Sequence, residues 1–376
     1  MKYLFLSFVL LSKFFTYGQE TKILSDQEKL AQCIKGHTNY FTFNHDRPEG
    51  KGWEILEQLF ANNQFVAWGE YHNSPALSRL TAYAMASANK YGYHALCVET
   101  SPFVAEELMR ISRTQHAADT LAKIYSDGYP GIGTFPFFHS AEDAQILEAA
   151  NKFQYNIWGI DQEFQMGFSY ALSKIYAAQS KKIKSEFKTV YDSLQARWWY
   201  PQTNLLDSLK QVVPQKNYKA LIEEIKVSKE IYRFNDNQGR ALLMKKNFFR
   251  YYDSSKNKKV FLKLGSNHLA KGMNLQTQIY DIGNAVYELA QRNGTNFANV
   301  YIMIRYTTDK GIVSDDMTSE ENENPKVFSA LYQRDQWVLV DIRSLHTQFR
   351  YDHSLAEDAY RLIEKYDFVL VSPEVL

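Results

Sequence analysis

A glutamate and a histidine lie within three residues of each other at the end of an apolar run. The run reads F-V-A-W-G-E-Y-H-N over residues 65–73, with Glu70 and His72 directly after Gly69. An imidazole held by a carboxylate can act as a general base toward water, and the same two side chains can coordinate a divalent metal. This stretch is therefore the first candidate for catalytic chemistry.

Three further polar residues follow apolar runs in the same way. Glu99 comes after A-L-C-V, Asp161 after N-I-W-G-I, and His268 ends the sequence L-G-S-N-H. If the runs are parallel strands, these residues join Glu70 and His72 at the carboxyl edge of one sheet, where open α/β sheets bind ligands. Each has a simpler explanation alone, since a histidine can be a turn residue and an aspartate a helix N-cap. Glu99 is the exception, because a carboxylate that ends a buried strand needs a partner to offset its lost hydration.

A predicted helix adds a cation. In Q-G-R-A-L-L-M-K-K-N-F-F, Arg240 and Asn247 are seven residues apart and share a helix face with apolar residues. Arg240 could neutralise a buried carboxylate such as Glu99, or it could clamp an oxyanion or a carboxylate of the substrate. The sequence leaves both roles open.

The elements that position these residues alternate between short apolar runs and longer amphipathic stretches, which is typical of a parallel sheet between helix layers. We predict an α/β fold with an open, mostly parallel sheet sandwiched by helices. Residues 164–257 have no strand signal and predict a helical insertion over the carboxyl ends of the strands, either a lid or a solvated layer. The polar stretch 307–325 predicts an exposed loop. The predicted strands are residues 65–69, 95–98, 156–160, 260–265, 300–304, 337–342 and 368–371.

Composition limits the classes of partner. The chain has 376 residues, and 45% of them are hydrophobic, which is enough for a substantial core. Lys and Arg (43) nearly balance Asp and Glu (42), so no overall basic field favours nucleic acid or an anionic membrane. A small molecule or a peptide is the expected partner. The sequence motifs of serine hydrolases, zincins, P-loop NTPases and dinucleotide enzymes are absent, which leaves water chemistry.

Residues 1–18 have the features of a signal peptide. Lys2 precedes the apolar run 3–11, and T-Y-G then offers small residues at the positions that a signal peptidase reads. We expect an exported protein, periplasmic or secreted, without a lipid anchor or a transmembrane segment, and with a single domain over residues 19–376. Cys33 and Cys97 could pair in an oxidising compartment, but Cys97 lies in an apolar run, where a buried thiol is expected.

Five segments, taken in order, resemble a known group of proteins. Their order and spacing resemble the erythromycin esterase-like family and its relatives, the ChaN-type haem-binding proteins and the Tiki-type proteases. The resemblance implies an α/β fold with a pocket above the sheet. The segments are G-E-Y-H-N, K-Y-G-Y-H-A-L-C-V-E-T, W-G-I-D-Q, R-A-L-L-M-K-K-N and K-L-G-S-N-H-L-A-K.

The resemblance also implies roles for individual residues. In the esterase-like members, a histidine after the first strand, supported by glutamates, activates water to open an ester. His72 occupies that position, and Glu70 and Glu99 would orient or charge it. His268 would complete the site, and Arg240 would match the family's helix arginine.

Two functions are compatible with these residues. The first is a hydrolase in which His72 activates water on an ester or amide, with or without a metal. Zinc or manganese would suit the ligand types of Glu70, His72, Glu99 and His268. The second is a ChaN-type protein that binds haem or another small ligand without turnover. Only Tyr71 separates Glu70 from His72, as in the ChaN-type branch, whereas the esterases have two residues there.

Overall fold

Short apolar runs form the strands of this protein, and amphipathic stretches form its helices. The computed structural model describes residues 25–44, 47–127, 134–197, 202–309, 312–316, 325–349 and 357–374. The strands are β1 (Thr38–Asn44), β2 (Arg47–Glu49), β3 (Phe65–Glu70), β4 (Ala95–Val98), β5 (Asn156–Gly159), β6 (Val260–Gly265), β7 (Phe297–Met303), β8 (Tyr306–Asp309), β9 (Ile312–Asp316), β10 (Trp337–Asp341) and β11 (Phe368–Val371).

The helices lie before, between and after these strands, and a short 3₁₀ helix (Ser266–Leu269) follows β6. They are α1 (Asp26–Lys35), α2 (Lys51–Asn62), α3 (Pro75–Lys90), α4 (Pro102–Ser112), α5 (Ala117–Asp127), α6 (Ala141–Lys152), α7 (Gln165–Ala177), α8 (Lys181–Ala196), α9 (Thr203–Val212), α10 (Lys216–Phe234), α11 (Asn237–Ser254), α12 (Ile282–Arg292), α13 (Lys326–Ser329), α14 (Arg343–Phe349) and α15 (Glu357–Lys365). None of these described helices is long and apolar enough to cross a membrane.

Nine strands form one sheet in the order β2-β1-β10-β11-β7-β3-β6-β4-β5. All neighbours from β11 to β5 pair in parallel, whereas β10 pairs antiparallel with β11 and with β1, and β1 pairs antiparallel with β2. The seven predicted strands all lie in this sheet. The predicted α/β fold with a mostly parallel sheet is therefore confirmed.

The two faces of the sheet pack against different helices. Along β3, Val66 and Trp68 join a core with α2, α3, α4 and α6, while Phe65 and Ala67 join a core with α11 and α12. The strand is buried along its whole length, as expected for a parallel strand between helix layers. The sheet therefore offers the site a rigid base with helices on both sides.

Five helices, α7 to α11, separate β5 from β6, and the described part of this segment contains no strand. Phe168, Leu206 and Ile222 belong to a core that this helical segment forms on its own. The last helix differs, because Met244 and Phe248 of α11 pack on the sheet. The helical insertion thus has its own core and is tied to the sheet through α11.

Other sequence predictions have different outcomes. The stretch 307–325 is not simply a loop, because it contributes to β8 and to β9, which pair as an antiparallel two-stranded sheet. Its Thr, Ile and Val residues favour extended backbone despite the charged residues around them. The predicted signal peptide lies outside the described residues. Cys33 is partly buried, and Cys97 is buried, as expected for a thiol in an apolar run.

Candidate active site

The carboxyl ends of four neighbouring strands bring the predicted polar residues together. β3 ends at Glu70, with His72 two residues later, while Glu99 and Asp161 follow β4 and β5 and His268 lies in the 3₁₀ helix after β6. Parallel pairing of β3 with β6, β6 with β4 and β4 with β5 aligns these ends at one edge of the sheet. The edge predicted from the sequence is therefore where the polar side chains meet.

A buried ion pair holds His72 in place. Nζ of Lys263 lies 2.5 Å from Oε2 of Glu70, and both side chains are only 4% exposed. Oε1 of Glu70 lies 3.1 Å from Nδ1 of His72. Burial alone would raise the pKa of Glu70, but the charge of Lys263 and the contact with His72 outweigh it and hold the pKa below its ordinary value. Glu70 is thus a carboxylate that accepts a hydrogen bond from Nδ1–H, which leaves Nε2 of His72 as the basic nitrogen.

Glu99 lies between the two histidines. Its Oε2 accepts a hydrogen bond from the backbone N–H of Gly265 at 2.6 Å and lies 3.6 Å from Nε2 of His72. Its Oε1 accepts one from Nη2 of Arg240 at 2.8 Å and lies 3.3 Å from Nε2 of His268. Burial would raise the pKa of Glu99, but the charges of the two histidines and the arginine hold it well below the ordinary value. Glu99 is therefore a fixed negative charge.

His268 is held as a cation by two carboxylates. Its Nδ1 lies 2.7 Å from Oδ2 of Asp281, and its Nε2 faces Glu99. Burial would lower the pKa of His268, but Glu99 and then Asp281 raise it to about 10. Asp281 also caps α12, because its Oδ1 accepts a hydrogen bond from the backbone N–H of Ile282 at 2.7 Å. His268 is an imidazolium at neutral pH and supplies positive charge rather than a base.

Arg240 brings α11 onto the site. Its Nε and Nη2 donate to the two oxygens of Asp161 at 2.9 and 2.5 Å, in addition to the contact with Glu99. Burial opposes the charge of Arg240, but the two carboxylates raise its pKa above the ordinary value. The side chain is 27% exposed, and the described residues supply no partner for the N–H groups of Nη1. Arg240 thus neutralises buried carboxylates and also keeps two donors for a ligand, so that both predicted roles fit.

Two charged residues of the site were not predicted from the sequence. Lys263 interrupts the apolar strand V-F-L-K-L-G, and a lysine in a strand buried on both faces was a signal of a buried partner. Asp281 precedes α12 in the order expected of an N-cap, which gives no sign of a second contact. These two residues complete the ion pairs that fix Glu70 and His268.

A glycine and a phenylalanine also shape the site. A Cβ on Gly265 would lie 3.0 Å from Oε2 of Glu99 and 3.1 Å from Nε2 of His72, so glycine leaves the room that both side chains occupy. Phe137, in the loop between α5 and α6, stacks on His72 with ring centroids 3.5 Å apart and 10° between the ring planes. No periodic pattern indicated either contact.

The metal-ligand role that the sequence suggested does not fit this arrangement. In the part of the chain that the structure describes, no group of three or more His, Cys, Asp or Glu side chains could hold a metal ion. Glu70 is already paired with a lysine, Glu99 with an arginine, and both ring nitrogens of His268 face carboxylates. The predicted set of Glu70, His72, Glu99 and His268 is thus an ion-pair network rather than a coordination sphere.

The described residues form an α/β fold with the polar site at the carboxyl edge of a mostly parallel sheet. No protein-family model and no curated protein matches the chain. Among solved structures, an erythromycin esterase mutant in its open conformation matches with a TM-score of 0.52 and 15% identity, over 89% of this chain and 97% of that one.

Two other solved structures share the fold. A protein from Bacillus cereus has a TM-score of 0.55 at 12% identity, over 93% of this chain and 98% of its own. A succinoglycan biosynthesis protein has a TM-score of 0.54 at 12% identity, over 92% of this chain and 97% of its own. The fold implied by the sequence resemblance is confirmed by these matches.

Proposed function

We propose that this protein is a hydrolase in which His72 activates water for attack on an ester or an amide. The observation that carries the proposal is the series of contacts from Lys263 through Glu70 to Nδ1 of His72. The buried ion pair fixes the carboxylate, and the carboxylate fixes the imidazole with Nε2 as the base. A general base held in this way typically contributes about 10² to 10⁴ in rate.

The base step follows from these contacts. A water molecule hydrogen-bonded to Nε2 of His72 attacks the carbonyl carbon as its proton moves to Nε2. The imidazolium that forms is stabilised by Glu70 at Nδ1 and by Glu99, 3.6 Å from Nε2. His72 then returns the proton to the leaving oxygen or nitrogen, which regenerates the neutral base.

Arg240 is suited to stabilise the negative charge that develops on the carbonyl oxygen. Asp161 and Glu99 hold the guanidinium rigidly, and the two N–H groups of Nη1 are left for the substrate. A donor fixed before the reaction stabilises a developing oxyanion without a cost of reorientation. The buried charge of His268 adds positive potential on the same side of Glu99.

The comparisons establish the fold and test neither the reaction class nor the substrate. A solved erythromycin esterase shares the fold, which favours an ester among the possible substrates. We also propose export to a periplasm or to the medium, on the basis of the signal peptide predicted for residues 1–18. A small ester or a peptide amide remains the expected substrate.

The haem-binding alternative has less support from the geometry. A haem-ligating histidine needs a free ring nitrogen. Both ring nitrogens of His268 face carboxylates at 2.7 and 3.3 Å, so His268 has no nitrogen to offer. In His72 only Nε2 is left, and this is the same atom that the proposed base uses. The geometry therefore offers one iron ligand at most.

A substrate panel with a matched control tests the proposal. Wild type and His72→Ala are compared on nitrophenyl esters of different acyl length and on peptide amides. His116→Ala is the control, because the side chain of His116 is 75% exposed in the loop before α5. We expect His72→Ala to lose about 10² to 10⁴ in kcat and the control to lose nothing. Equal rates in wild type and His72→Ala would contradict the proposal, and a saturable absorbance change on addition of haem would favour the alternative.

A further inference from the structure

Phe137 covers one face of the imidazole of His72. The two rings are stacked and nearly parallel, with 10° between their planes and 3.5 Å between their centroids. Glu70 holds the same imidazole from its edge, through Nδ1 at 3.1 Å. The hydrogen bond acts in the plane of the ring and the stacking acts perpendicular to it. Together they restrict both the turning of the imidazole within its own plane and its tilting out of that plane.

The backbone of Phe137 is in a conformation that a large side chain disfavours. Its φ is 62°, in the left-handed region. Of the six non-glycine residues with positive φ in the described part of the chain, Phe137 is the only aromatic one, and the others are Asn or Gln. Another of the six, Asn73, directly follows His72 with a φ of 65°. Two left-handed backbone conformations therefore lie next to the same imidazole, in two different loops, and asparagine tolerates this conformation whereas phenylalanine does not.

Residues on both sides of Phe137 hold the loop in place. Phe135 and Phe138 are buried, at 2% and 3% exposure. The backbone N–H groups of His139 and Ser140 both donate to Oδ2 of Asp143. With both flanks fixed, the left-handed turn at residue 137 is imposed by the surrounding structure. Backbone strain of this kind persists where the surroundings over-determine it and is concentrated at functional sites.

We propose that Phe137 is a positioning residue for His72. This inference depends on the proposed role of His72 as the base, because the ring of Phe137 contacts the base and not the reacting atoms. The stacked ring fixes the direction of the Nε2 lone pair and keeps water away from one face of the imidazole. Water then approaches along the ring plane at Nε2, which is the direction needed for proton transfer.

Phe137→Gly removes the stacked ring and the backbone strain together, so its effect is compared with that of a variant that relieves strain alone. Glycine populates positive φ readily, so the variant loses the stacking and relieves the strain at once. We expect kcat to fall about 10- to 100-fold, with KM changed less than about threefold, and no decrease in Tm. Phe137→Tyr keeps the stacked ring, so its kcat should stay close to that of the wild type. Gln154→Gly is the matched control. Gln154 follows α6 and has a φ of 57°, so this variant relieves similar backbone strain away from His72.

A nuclear magnetic resonance measurement tests the positioning without any substrate. The ring current of a stacked phenylalanine shifts the C–H proton resonances of the His72 imidazole upfield, and His72→Ala identifies these resonances. The upfield shift should disappear in Phe137→Gly and stay in Gln154→Gly. Resonances that do not move in Phe137→Gly, an unchanged kcat, or a rise in KM alone would overturn the proposal. A lost shift in a protein whose wild type hydrolyses nothing would support the positioning and contradict the proposed function.

Discussion

Replacement of Lys263 by methionine should destabilise the protein and also disable His72. Nζ of Lys263 is 2.5 Å from Oε2 of Glu70, and each side chain is 4% exposed. Methionine keeps most of the volume of the lysine stem, so the main effect is an unpaired buried carboxylate. Removal of one partner from a buried ion pair costs about 3 to 5 kcal/mol. The free energy of unfolding at neutral pH should fall by that amount.

The size of this loss should depend on pH in a defined direction. In the wild type, the pKa of Glu70 lies below its ordinary value, so its pairing stabilises the fold above about pH 4.3 and is lost as pH falls through the folded pKa. Without Lys263, burial dominates and raises the pKa of Glu70. When the pKa of a carboxyl is raised by folding, the free energy of unfolding decreases as pH rises. The gap between wild type and Lys263→Met should therefore be largest near neutral pH and shrink toward acid pH.

Urea unfolding followed by circular dichroism at two pH values, together with hydrolysis rates, measures both effects. Lys271→Met is the matched control, because Nζ of Lys271 lies 2.6 Å from Oδ1 of Asp367, with 17% and 9% exposure, in an ion pair outside the site. It should lose stability and keep its activity. The reasoning is refuted if Lys263→Met keeps full activity, or if its loss of stability is the same at both pH values. Addition of Glu70→Gln to Lys263→Met should restore stability without restoring activity.

Two other substitutions test the packing of the site and the charge state of a neighbouring residue. The φ of Gly265 is −51°, which alanine adopts readily, so Gly265→Ala should leave the Tm nearly unchanged. Its Cβ would lie 3.1 Å from Nε2 of His72 and displace the imidazole, so kcat should fall about tenfold. Gly36→Ala, with its nearest contact at 3.6 Å, is the control, and an equal kcat in the two variants would contradict this reading. Burial raises the pKa of Glu163 to about 8, so its contribution to stability is lost as pH rises from about 4.3 through that value. Glu163→Gln should therefore raise the free energy of unfolding by about 1 to 3 kcal/mol above pH 8 in urea unfolding, and an equal gain in acid would count against the assignment.

The sequence predicted the central strands well because burial on both faces leaves a plain pattern. Runs such as V-F-L-K-L-G have almost no polar residues, and each of the seven runs became a strand of the sheet. β1 was missed because T-N-Y-F-T-F-N mixes polar and aromatic residues, as a partly exposed strand near the edge of the sheet does. The β8–β9 pair was missed because charged residues masked its β-branched ones. Patterns that depend on exposure were therefore harder to interpret than those that depend on burial.

The site could be predicted as far as the rule for sheet edges extends. That rule predicted Glu70, His72, Glu99 and His268 at one edge of the sheet. In the structure the contacts that link them, Glu70 to His72, His72 to Glu99 and Glu99 to His268, are 3.1, 3.6 and 3.3 Å long. It could not reveal that Lys263 pairs with Glu70, because this requires the register between β3 and β6. Contacts from capping residues and loops have no periodicity, so those of Asp281 and Phe137 were also beyond sequence reasoning.

A double-mutant cycle on hydrolysis rates tests the role of the Glu70–His72 pair most directly. The cycle compares wild type, His72→Ala, Glu70→Gln and the double variant on the best substrate of the panel. If Glu70 acts only through His72, each single variant lowers kcat, by about 10² to 10⁴ for His72→Ala, and the double variant is no slower than His72→Ala alone. Losses that multiply in the double variant, or full activity in His72→Ala, would contradict water activation by this pair.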